Sequence, residues 1–208
     1  MSMLRTLLVS AAAGLAGGAM LPARAGPEDF AAALTVYQAG DPVAAVARFR
    51  DLAQSGDSRA QLNLALMSRR GHGRPRNDEA AFYWAWRARL GGHQDAPRLT
   101  EVIGAELPAS SVRTVARRLD EDLAALAAAG RASALLDRAR VALRLSDAPD
   151  REQALAWASV AAALGVSGAA ELRDALGREL GSARRIAAQK QAERLFEDWC
   201  AAASDRCG

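Results

Sequence analysis

Residues 68–78, SRRGHGRPRND, gather the densest set of groups in this chain that could do chemistry, with Arg69, Arg70, Arg74 and Arg76 around Gly71, His72 and Gly73. Glycines let backbone amides approach an anion and arginines neutralise it, so the composition would suit a phosphate cradle. Such a cradle needs a strand feeding a helix or a G-x-x-x-x-G-K-[ST] run, and the sequence offers neither. The spacing predicts instead a glycine turn between paired helices, with Pro75 stiffening its exit. A turn has no need of so many arginines. Arg69, Arg70, Arg74 and Arg76 read either as a solvated loop or as candidates for docking an acidic partner.

Other chemistry is thin. His72 and His93 are the only histidines and no Cys/His cluster accompanies them, whereas a metal site takes three or four ligands in matched geometry. No metal and no cofactor is expected. No nucleophile elbow or triad-orienting motif is present, and Asp120, Glu121 and Asp122 read as a solvated face, so no catalytic residue is expected either. Trp86 lies two positions beyond Trp84, hence on another face of a helix. It is either buried against the following helix pair or available to a partner, and Tyr83 is open in the same way. Aromatic rings beside arginines anchor many interfaces. Cys200 and Cys207 suit a disulfide in an oxidising compartment. On a continuous helix they would stand about 10.5 Å apart, so that bond requires the helix to break between them.

The elements that must position these groups read as helices throughout. Half of the 208 residues are hydrophobic, aromatics are only 5%, and alanine supplies much of the apolar half. Alternating runs of valine, isoleucine and threonine are absent, and small apolar side chains suit closely packed helices. Residues 1–25 have the form of a signal peptide: Arg5, the apolar LLVSAAAGLAGGAML, and Ala23-Arg24-Ala25 as a cleavage site. The apolar run is short of the roughly 20 residues a spanning helix needs. The mature chain is then 26–208, exported and periplasmic, with no membrane insertion. Losing Arg5 and Arg24 leaves 25 basic against 24 acidic residues, a net +1. That balance argues against a nucleic-acid partner.

The chain is internally duplicated. Residues 58–107 laid on 131–180 without a gap, an offset of 73, agree at twelve of fifty positions. Leu62/Leu135, Trp84/Trp157 and Gly92/Gly165 are among them. Ala81, Trp84, Ala85 and Ala88 follow i, i+3, i+4, i+7, one helix face, and Ala154, Trp157, Ala158 and Ala161 repeat it. Each stripe sets one large ring among small residues, so a neighbouring helix can come close. Gly92 and Gly165 then stand where a helix should end in a left-handed cap.

The segment AQLNLALMSRRGHGRPRNDEAAFYWAWRARLGGHQDA resembles a Sel1-like repeat, a relative of the tetratricopeptide repeat. Ala60, Leu64, Gly71, Gly73, Asp78, Ala81, Trp84, Ala88 and Gly92 fit that family's pattern, with Asp78 one place late. Ala65, Ser68 and Arg74 depart from its glycine, tyrosine and valine. The second copy keeps Ala154, Trp157, Ala161 and Gly165, but its turn RLSDAPDRE has lost both glycines. The resemblance implies an all-α fold, an α-solenoid of antiparallel helical hairpins. It divides 26–208 into a hairpin at 28–54, a repeat at 58–92, an extra helix pair at 94–129, a degenerate repeat at 131–165 and closing helices at 168–202. Helices are expected at 28–39, 42–54, 58–70, 78–90, 94–105, 110–129, 131–145, 150–164, 168–180 and 182–202.

Such a solenoid works by surface presentation. The expected function is a periplasmic scaffold or adaptor, not an enzyme, that binds a protein or peptide on its curved face. Tyr83, Trp86 and the four arginines are the candidate contacts. An envelope hydrolase acting on cell-wall material and a self-associating structural solenoid are the competing readings.

Overall fold

The computed structural model describes residues 26–146 and 148–202. Among these there are ten α-helices and no strand. They are α1 (Pro27–Gln38), α2 (Pro42–Gln54), α3 (Ser58–Arg70), α4 (Asp78–Leu90), α5 (Ala96–Glu106), α6 (Ala109–Ala128), α7 (Ser133–Leu145), α8 (Arg151–Ala163), α9 (Ala169–Glu179) and α10 (Ser182–Ala201). Every expected helix is present, with ends displaced by at most two residues. Local chemistry sets those ends. The Asp57 carboxylate accepts from the backbone N–H of Arg59 at 2.9 Å and of Ala60 at 3.1 Å, which caps α3. Asn77 accepts from Ala80 at the start of α4, and Asp150 from Gln153 at the start of α8. Gly92 and Gly165 follow α4 and α8 with φ of 79° and 73°.

The helix bounds enlarge the duplication. At the offset of 73, α4 matches α8, α5 matches α9 and α6 matches α10 end to end. The helix pairs α5–α6 and α9–α10, which the sequence left as an extra pair and closing helices, are thus two copies of one element pair. The repeating unit is four helices. The gapless alignment fails only between α3 and α7, which sit at an offset of 75 because the turn before α8 is two residues shorter than the turn before α4. Leu135 therefore corresponds to Ala60, not to Leu62.

Helices pack on their neighbours in sequence except at α5–α6 and α9–α10, where the packing skips one helix, so that α6 lies on α4 and α10 on α8. That nearest-neighbour pattern is the signature of a solenoid. One strip of buried side chains runs through it. Ala81, Ala85 and Ala88 are fully buried around Trp84, which is 9% exposed, and Ala154, Ala158 and Ala161 are fully buried around Trp157, 8% exposed. Removing either ring would cost about 3–5 kcal/mol. Ala60 and Leu64 are also fully buried. The outer faces of α6 and α10 differ. Val112 and Ala116, which lie half-buried on α6, are replaced on α10 by Arg185 and Gln189, both exposed.

Candidate functional site

The glycines of GHGRPR are explained by packing. Gly71 ends α3 in the left-handed region at φ 71°, and the His72 N–H then returns to the Met67 carbonyl at 3.0 Å. Gly73, at φ 72°, presses against the start of α2. A Cβ there would stand 2.2 Å from the Pro42 carbonyl oxygen and 3.0 Å from Val46 Cγ2. The turn is thus a backbone-on-backbone joint between α3–α4 and the preceding hairpin. His72 adds a contact from Nδ1 to the Tyr37 hydroxyl at 3.1 Å. His93 accepts from the Asp95 N–H through Nδ1 at 3.3 Å.

The arginines around this turn do not act together. Arg69 reaches across to Glu106 at the end of α5, 2.7 Å away. Arg76 clasps Asp78, two residues on, at 3.0 Å. Arg70 is exposed and Arg74 half-buried. Two of the four guanidiniums are thus committed to intramolecular carboxylates.

Tyr83 and Trp86 require a correction. Both are buried, 4% exposed each, so neither ring stands free for a partner. The Tyr83 hydroxyl donates to Asp122 on α6 at 2.7 Å and accepts from Arg87 at 2.9 Å, and the Arg118 guanidinium lies 4.1 Å from its ring centre. Burial pushes the Tyr83 hydroxyl above its ordinary range, with Asp122 adding to the shift and Arg87 opposing it. Trp86 meets Phe82 edge to face at 6.3 Å, with Arg89 lying 5.0 Å from its ring centre. Arg89 in turn donates to Thr100 on α5 at 2.8 Å. The rings are internal fasteners, joining α4 to α6 and α5. Cys207 lies outside the described residues, and the expected Cys200–Cys207 bond with it.

A different set of groups meets at the seam between the two copies. A cavity of about 520 Å³, open to solvent, is lined by Gln61 of α3, Arg87 and Leu90 of α4, Leu123 and Leu126 of α6, Arg131 in the turn before α7, Ser133, Leu136, Asp137 and Arg140 of α7, and Val166 and Ser167 beyond α8. Arg140 pairs with Asp137 at 3.2 Å. Burial pushes the Asp137 carboxyl above its usual range, against the pull of Arg140 and Arg87. Gln61 is 2% exposed, and its amide nitrogen donates to the Ala53 carbonyl at 2.9 Å. That bond fixes the amide orientation and leaves Oε1 buried without a donor. Three guanidiniums against one carboxylate give this groove a net charge of +2. An orphaned acceptor and excess positive charge around an aliphatic floor can bind.

Sequence reasoning passed over this groove, although a signal was present. Asp137 and Arg140 occupy positions that are apolar in the first copy in either register: Leu64 and Met67 at the offset of 73, Leu62 and Ala65 at the offset of 75. Among the described residues no group of His, Cys, Asp and Glu could hold a metal ion, and no helix is long and apolar enough to cross a membrane.

No family model matches the chain, and no curated protein matches it. Among solved structures it is similar to a protective antigen present in uropathogenic Escherichia coli strains and displaying an SLR fold, with 18% identity and a TM-score of 0.32. The match covers 83% of this chain and 45% of that one, so the chain spans under half of the antigen's length.

Proposed function

We propose that this solenoid of Sel1-like hairpins is a non-enzymatic scaffold, exported to the periplasm, that holds a protein or peptide partner. The observation that carries the reading is the seam groove, about 520 Å³ in volume and lined from α3, α4, α6 and α7 together. Its size is typical of binding clefts. A groove built from both copies exists only when the copies stack, which ties binding to the repeat architecture. Export rests on the pattern of residues 1–25. The candidate contacts move from the 68–78 turn to the groove, while exposed Arg70 and half-buried Arg74 remain accessory contacts.

The test is affinity capture from periplasmic extract with the chain as bait, followed by titration of what is captured. A saturable partner is expected. Capture of nothing saturable, together with covalent labelling of the chain by a serine- or cysteine-directed hydrolase probe, would replace the scaffold with the hydrolase. Concentration-dependent growth in mass by light scattering, with no partner captured, would replace it with the self-associating solenoid.

A further inference from the structure

We infer that the seam groove recognises an acidic peptide segment, with Arg131 taking a peptide carboxylate and Gln61 Oε1 taking a peptide N–H. The inference rests on the scaffold reading and specifies its ligand. Three features of the groove select the chemistry. The first is a charge imbalance with one guanidinium to spare. Arg87 is engaged with the Tyr83 hydroxyl and Arg140 with Asp137, whereas the side chain of Arg131 has neither ion pair nor hydrogen bond among the described residues. It stands exposed at the rim. The second is the orphaned Gln61 oxygen, which wants a donor. Leaving such a buried acceptor unpaired costs roughly 1–3 kcal/mol, and a ligand N–H recovers it. The third is the floor, where Leu123 and Leu136 are buried and Leu126 half-buried.

A carboxylate, an N–H and an aliphatic side chain in close succession are what an acidic peptide presents along its backbone. The floor gives the flat rings of a nucleic-acid base no aromatic partner to stack on. Asp137 refines the placement: its own carboxylate repels a second one, so the ligand's charge settles toward Arg131 and away from the Asp137–Arg140 pair. The pair is open to solvent on the Arg140 side, 44% exposed against 18% for Asp137, so it adds little to the fold, and it stands where the first copy keeps apolar residues. Its retention fits a groove that must stay polar.

The experiment is selection of a random dodecapeptide library on the full chain, followed by fluorescence anisotropy of the enriched peptides. Enriched peptides should carry Asp or Glu beside Leu or Val. Arg131→Glu should weaken them at least tenfold, the loss of one charge-assisted hydrogen bond. Arg131 is exposed, so this variant leaves the core intact. Gln61→Leu should weaken them several-fold, and Arg70→Glu or Arg74→Glu should change little. Amidating the peptide C-terminus separates the two carboxylate sources: loss of binding assigns the terminal carboxylate, and unchanged binding assigns a side chain. Enriched peptides that respond to Arg74→Glu and not to Arg131→Glu would overturn the groove assignment while leaving a peptide-binding scaffold. Enriched peptides without acidic residues, or tighter binding of a single-stranded oligonucleotide, would overturn the ligand class. A library that yields no enrichment would overturn the peptide groove, while the scaffold would stand or fall on affinity capture of a folded partner.

Discussion

Alanine at Gly73 separates two roles that glycine can play in a turn. The residue sits at φ 72°, and its Cβ would lie 2.2 Å from the Pro42 oxygen and 2.6 Å from the Pro42 carbonyl carbon. Gly92 has a similar φ of 79° but nothing within 4 Å of the added carbon. Left-handed backbone costs an alanine about 1–2 kcal/mol, partly offset by the lower entropy of the unfolded chain. Gly92→Ala should therefore lose about 1 kcal/mol. At Gly73 the obstacle is backbone, which no rotamer change clears, so the turn must back away from α2. Overpacking of that kind adds about 1–3 kcal/mol, for a total near 2–4 kcal/mol. At roughly 2–4 °C per kcal/mol for a chain of this size, Tm should fall by about 4–16 °C for Gly73→Ala and about 2–4 °C for Gly92→Ala. Hydrogen exchange should quicken in α1 and α2, the hairpin that loses its seat. Equal Tm losses for the two variants, or unchanged exchange in α1–α2, would refute the idea that the turn is a backbone joint.

Two further substitutions probe the cap and the groove. Asp57→Ala removes the cap of α3 and should cost about 1 kcal/mol at neutral pH. Burial pushes the Asp57 carboxyl up, but Arg59 and the Ala60 amide outweigh it and hold the group below 3.8. Its stabilisation is therefore full above that value and lost as pH falls through the depressed one, so the Tm gap between wild type and Asp57→Ala should close in acid. A gap independent of pH would show that the carboxylate charge plays no part. Asp137→Leu combined with Arg140→Ala gives α7 the residues of the first copy, Leu62 and Ala65. The pair is exposed at Arg140, so thermal denaturation should find this variant within about 1 kcal/mol of wild type. A clear loss would make the pair a structural element rather than a feature of the groove.

What could be read from the sequence was whatever depends on neighbours along the chain. The Trp84 stripe follows from spacing alone, and the ends of α4 and α8 follow from Gly92 and Gly165. What could not be read depends on where distant residues meet. Arg69 looks free until Glu106, 37 residues away, is placed beside it. Tyr83 looks like an exposed ring until Asp122, 39 residues on, closes over its hydroxyl. The register of α7 escaped for a smaller reason. A turn shortened by two residues leaves the later helices in step, so chance matches such as Leu62 with Leu135 hide the slip. The four-helix unit was hidden because α6 and α10 share their helix ends but just one residue, Ala128 with Ala201.

The fastening of α4 to α6 through Tyr83 has a mechanical side. Below this join lie α3 and α4 with Gln61, Arg87 and Leu90; beyond it lies α7 with Leu136, Asp137 and Arg140. The molecule is built like two leaves pinned along α6, and the phenol is one of the pins. The phenol does not line the groove, yet through its bonds to Asp122 and Arg87 it holds one wall, Arg87 of α4, against the floor that α6 supplies.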